Sequence, residues 1–112
     1  MQLEDYQKLA MSTAMYPNGL LGLLYTTLGL AGEAGEVADK VKKIVRDNED
    51  PHADLSEEKK MELAKEIGDV LWYIATLSHE LGFNLNHIAT MNINKLLSRK
   101  KRNVIKGSGD NR

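Results

Sequence analysis

Two short strings carry the residue types best suited to chemistry: Glu33-Ala34-Gly35-Glu36 and, further along, Glu66-Ile67-Gly68-Asp69. In a helix, residues three apart share a face, about 60° from each other around the axis. With Glu33 as origin, Glu36 falls near about −60° and Lys40 near about −20°, while Leu30, Ala34, Val37 and Val41 group at about +40° to +100°. The second string repeats the pattern. With Glu66 as origin, Asp69 lies near about −60° and Tyr73 near about −20°, and Leu63, Val70, Ile74, Leu77 and Leu81 centre near about +50°. Each acidic pair therefore borders an apolar stripe on the same flank. Two such helices packed antiparallel would bring four carboxylates to one edge of a bundle.

Converging carboxylates need a cation, because two like charges about 4 Å apart repel by roughly 4 kcal/mol at an effective dielectric near 20. Oxygen-only donors, with no cysteine and no paired histidines, favour Mg²⁺, with Mn²⁺ as substitute, over Zn²⁺. Mg²⁺ is commonly shared between carboxylates and substrate phosphates, which points to phosphate chemistry. Glycines accompany both strings: Gly29, Gly32 and Gly35 recur every third residue, and Gly68 lies inside the second pair. Each costs about 1 kcal/mol relative to alanine inside a helix, and close approach of a helix, ligand or cation is the usual compensation. One Glu-x-x-Glu alone reads as a solvated helix face; two in matching register, each beside a glycine, read as a site.

The elements that must position these pairs follow from periodicity and punctuation. Pro17 and Pro51 stand where the helical pattern breaks. A first helix is expected over about Leu3 to Met15, a second from about Leu20 to Arg46, and a third ending near Leu81 before Gly82. Asp54 or Ser56 would cap the third, with Asp54 and Glu57 at capping-box spacing. Asn84 would cap a fourth, to about Arg102, with Leu85, Ile88, Ala89, Ile93, Leu96 and Leu97 turned inward. The sequence has no strand pattern or repeat. The fold class is all-α, a bundle of about four helices: one domain over 1–102, then a flexible basic tail over 103–112.

Composition is consistent with that. The 112 residues, 42% hydrophobic and 28% charged, suit one soluble domain, and a chain this short often completes its core by oligomerising. A net charge of −1 supplies no global attraction for nucleic acid. The longest apolar stretch, Leu20 to Ala31, is too short to span a bilayer, and MQLEDYQ is unlike a signal peptide. The expected location is the cytoplasm, with no membrane partner and no specific nucleic acid.

The strings LGLAGEAGEVADKV (Leu28 to Val41) and ELAKEIGDVLWYIATL (Glu62 to Leu77) resemble the two halves of the MazG-type nucleoside triphosphate pyrophosphohydrolase signature, E-x-x-E followed by E-x-x-D. Asn92-Ile93-Asn94-Lys95-Leu96, followed by Arg99, resembles that family's N-x-x-K-L and nearby arginine. The resemblance covers about residues 20–112. The interval from Glu36 to Glu66 is at the long end for the family, which leaves loop geometry and substrate access open.

The resemblance implies an oligomeric all-α enzyme that cleaves nucleoside triphosphates between the α- and β-phosphates, giving monophosphate and pyrophosphate, for house-cleaning of the nucleotide pool. Glu33, Glu36, Glu66 and Asp69 would bind Mg²⁺, with Glu33 or Glu36 also the general base for an attacking water. Asn92, Lys95 and Arg99 would hold phosphates or sugar, with Lys40 a weaker phosphate candidate and Tyr73 a candidate for the base or sugar pocket. Lys106 and Arg112, with Gly107 and Gly109, would form a phosphate-contacting clamp; the plainer reading is a solvated basic helix end. Trp72, pointing away from the acidic face, is expected against the first helix or a partner subunit. His52, His79 and His87 show no ligand spacing. A tetramer is favoured over a dimer. The competing readings are a related phosphoribosyl-ATP or dUTP pyrophosphatase, a non-catalytic helical oligomerisation module, and, more weakly, a basic tail that binds nucleic acid non-specifically.

Overall fold

The computed structural model describes residues 1–50 and 52–112, so the break expected at Pro51 lies outside the described residues. Four helices and no strand are found among them: α1 (Leu3–Ser12), α2 (Leu20–Asp47), α3 (Glu57–Glu80) and α4 (Leu85–Lys101). Among the described residues, no helix is long and apolar enough to cross a membrane.

The local sequence explains the boundaries. α1 starts at a capping box in which Gln2 and Asp5 satisfy each other's backbone. It ends earlier than periodicity suggests, because Thr13 turns both its N–H and its hydroxyl back onto the Ala10 carbonyl. α3 is capped by Ser56, whose side chain accepts from the Lys59 N–H; Asp54 does not take that role. At its other end, Gly82 adopts φ +80°, and the N–H of Phe83 closes onto Ser78 at 2.9 Å. Asn84 then caps α4 by accepting from Asn86.

α2 and α3 form the frame, packed as an antiparallel hairpin. Gly22 faces Glu80, Gly29 faces Tyr73 and Lys40 reaches Glu66, so that one index falls as the other rises. Two fully buried threonines, Thr26 and Thr76, lie in the chain interior, each hydroxyl donating to a carbonyl of its own helix. α1 crosses the other side of α3. There Ala10, Ala75 and Leu85 make a small core, with Tyr6, Trp72, Ile74 and Ile88 packed on it. Gln7 ties three segments together, donating to the carbonyls of Ala75 and Phe83 and accepting from the Leu85 N–H. Trp72 packs against α1, as expected, and donates to the Thr13 hydroxyl at 2.8 Å.

The core is thin for a chain of this length. Ile93, Leu96 and Leu97, expected inward, are exposed: α4 packs on α1 and α3 and, among the described residues, not on α2, so its apolar face is only partly covered. Accessible area is 8440 Å², against about 6,200 Å² for a compact monomer of this mass. The radius of gyration is 17.3 Å, against about 13 Å for a compact chain.

Candidate metal centre

The hairpin brings Glu33 of α2 together with Glu66 and Asp69 of α3. Each offers one carboxylate oxygen, and the three oxygens lie within 4.8 Å of one another. Glu33 and Glu66 are half-buried and Asp69 is exposed, so the cluster lies at the edge of the hairpin, open to a ligand. Partial burial and the charges of Asp69, Glu66 and Glu36, in that order, raise the carboxyl of Glu33 above its ordinary value. Three hard oxygen donors drawn together against their mutual repulsion fit a divalent cation of the Mg²⁺ or Mn²⁺ class. Glu36, one turn beyond Glu33, is exposed and stands outside the close trio.

Lys40 is bound to the cluster itself: its Nζ lies 2.7 Å from an oxygen of Glu66. This contact also raises the lysine's own pKa. Tyr73 lies flat on α2 over Gly29, where any β-carbon would collide with its ring. Its phenol is raised by burial, by the hydroxyl of Tyr25 and by the negative charge of Glu33 and Asp69. Tyr73 belongs to an aromatic group with Trp72, Tyr25 and Tyr16 that begins beside the carboxylates.

Gly29 is therefore a site of close approach, but Gly32, Gly35 and Gly68 are not: among the described residues, a β-carbon at any of them would meet nothing within 4 Å beyond its own stretch of helix. Gly22, which the spacing did not single out, is a second close approach. A β-carbon there would lie 2.8 Å from the Pro17 carbonyl and 3.1 Å from the Glu80 carboxylate.

The remaining candidate residues lie elsewhere. α4 packs on α1 and α3 and, among the described residues, not on α2. Asn92 and Lys95 are exposed on it, and Lys95 reaches Asp110 at 3.8 Å. Arg99 is 5% exposed and donates to the carbonyls of Gly109 and Asp110. The tail folds back around Arg112, whose guanidinium donates to the carbonyls of Val104, Ile105 and Gly109. Arg102 in turn donates to the carbonyl of Arg112. Lys106 is exposed on this loop. Two of the cations expected to meet phosphate are thus engaged with backbone carbonyls. Sequence patterning gave no sign of this, since a short polar tail with two glycines has no periodicity to read.

Comparison with known proteins adds an independent finding. Residues 22–104 match the MazG nucleotide pyrophosphohydrolase domain family. The chain is similar to the Gene 37 protein of Mycobacterium phage L5, 47% identical over the full length of both. No solved structure matches the chain.

Proposed function

Since this chain belongs to the MazG nucleotide pyrophosphohydrolase family, we propose that it is a Mg²⁺-dependent hydrolase that converts nucleoside triphosphates to monophosphate and pyrophosphate in the cytoplasm. The observation that carries this reading is the convergence of Glu33, Glu66 and Asp69 from two helices. These three, with Glu36 one turn on, would hold the cation. When bound, Mg²⁺ supplies charge neutralisation at the phosphate oxygens and at the leaving pyrophosphate.

The protein's own part is positioning and proton transfer. Glu33 or Glu36 would accept the proton of the attacking water. The water oxygen bonds to the α-phosphorus, the bond to the bridging oxygen breaks, and pyrophosphate departs. Lys40, which pairs with Glu66, would exchange that partner for a phosphate.

We further infer that copies of the chain associate, as a tetramer in preference to a dimer. About 2,200 Å² of accessible area beyond the compact expectation, together with exposed Leu20, Leu28, Ile67 and Leu97, supports association. Asn92, Lys95 and Arg99 lie on the helix that does not pack on α2. A role at the phosphates would bring them from another copy or after the tail opens.

The test is a panel of natural and modified nucleoside triphosphates assayed with and without Mg²⁺, with products identified. Monophosphate plus pyrophosphate, formed only with the cation, is the expected result. Diphosphate plus phosphate, or no turnover across the panel, would overturn the reading.

A further inference from the structure

Tyr25, Gly29 and Glu33 stand four residues apart along α2, so they form one row that drifts only about 40° per step. Gly29 leaves a gap in that row, and the ring of Tyr73 fills it. From the carboxylates toward the start of α2, the surface therefore passes from Glu33 to Tyr73 and then to Tyr25. The centroids of the two tyrosine rings are 6.4 Å apart, with their planes inclined by 44°.

Tyr25 has the features of a stacking surface. One side is covered by Tyr16, with ring centroids 5.3 Å apart and planes inclined by 17°. Tyr16 is fixed by donating its hydroxyl to Glu80 at 2.7 Å. The Tyr25 ring is thus held in place before any ligand arrives, which lowers the ordering cost of binding. Yet 45% of the residue remains exposed. The axial rise from Glu33 back to Tyr25 is about 12 Å, comparable with the reach of a nucleotide from its phosphate to the far edge of its base.

We propose that Tyr25 is the base-stacking residue of the site: with the phosphates at Glu33, Glu66 and Asp69, the nucleobase lies against Tyr25 and the ribose passes over Tyr73. This rests on the functional reading above and deepens it by locating the nucleoside. Stacking is tolerant of base identity, since every base has a π-face, so Tyr25 accounts for nucleobase affinity across bases more than for choice between them.

The test compares two probes, a nucleoside triphosphate with a non-hydrolysable α,β-bridge and inorganic triphosphate, both with Mg²⁺, on wild type, Tyr25→Ala and Tyr25→Phe. Affinity is read by calorimetry and molar mass by light scattering. Tyr25→Ala is expected to weaken the nucleotide by roughly 5- to 150-fold, the range for loss of one stacked base, and to leave inorganic triphosphate unchanged. Tyr25→Phe should keep both. Equal nucleotide affinity in wild type and Tyr25→Ala would overturn the proposal. So would equal loss of both probes or a changed molar mass, which would make Tyr25 a packing residue. A wild type that binds the nucleotide no better than inorganic triphosphate removes the base contact while leaving the phosphate chemistry standing. A wild type that binds neither overturns the functional reading itself.

Discussion

Lys40 Nζ and a Glu66 carboxylate oxygen lie 2.7 Å apart, joining α2 to α3 at the edge of the carboxylate cluster. The lysine supplies a resident positive charge where a divalent cation would otherwise be needed. Lys40→Met is therefore expected to strengthen Mg²⁺ binding, since one competing cation is gone, while raising the KM for nucleotide if the lysine then turns to phosphate. Calorimetric titration with Mg²⁺ alone checks the first effect; unchanged or weaker Mg²⁺ affinity would contradict the competition.

Asp69→Asn and Glu36→Gln are each expected to abolish Mg²⁺-dependent pyrophosphate release, a fall of more than about 100-fold, because even outer-shell changes at metal sites cost 10- to 100-fold. Helical content by circular dichroism should be unaffected, since Asp69 and Glu36 are exposed. Retained turnover in either variant would remove that residue from the site.

The raised carboxyl of Glu33 fixes the sign of a pH effect. A folded-state pKa above the unfolded one means that the contribution is fully present below the unfolded value and is lost as pH rises through the folded value. Without metal, wild type should thus lose stability relative to Glu33→Gln as pH climbs from the ordinary carboxyl range toward neutrality, and Mg²⁺ should restore it. Thermal melts of both proteins across that window, with and without chelator, measure the gap. A gap that shrinks with rising pH would reverse the assignment.

Two glycines of one helix should respond in opposite directions. Gly29→Ala drives a methyl into the Tyr73 ring and is expected to destabilise by about 1–3 kcal/mol. Gly32→Ala meets nothing among the described residues beyond its own stretch of helix and should gain up to about 1 kcal/mol from helix propensity. Denaturant unfolding of the pair gives both signs. A destabilising Gly32→Ala would mean that a second copy covers that face.

Arg112 organises the tail through three carbonyls. Arg112→Ala should release residues 104–112 and uncover Arg99, with little effect on the helices. Faster proteolytic trimming at the C-terminus, and faster amide exchange confined to that segment, are the expected outcomes. Unchanged exchange would show that the Arg99 contacts hold the tail by themselves.

The sequence by itself determined the helices and the faces of the carboxylates. Helical periodicity is local, so Glu33 and Glu66 could be placed on the flank of an apolar stripe without knowing the partner. Ser56 and Asn84 carry cap chemistry in their own side chains, and Trp72 could be turned away from the acidic face by angle alone, with the first helix and a partner subunit both left open. Only the tertiary structure decided which approaches are close. Gly22, Gly29, Gly32, Gly35 and Gly68 are chemically identical in sequence, yet only Gly22 and Gly29 touch a neighbour, because contact depends on how the hairpin registers Glu80 and Tyr73 against α2. The same holds for Arg99 and Arg112: a guanidinium accepts phosphate or carbonyl partners equally well by type, and the fold-back of the chain supplied the carbonyls. Tyr25 escaped notice for a related reason. A lone tyrosine in an apolar run signals nothing until Tyr16, from a different segment, is stacked on it.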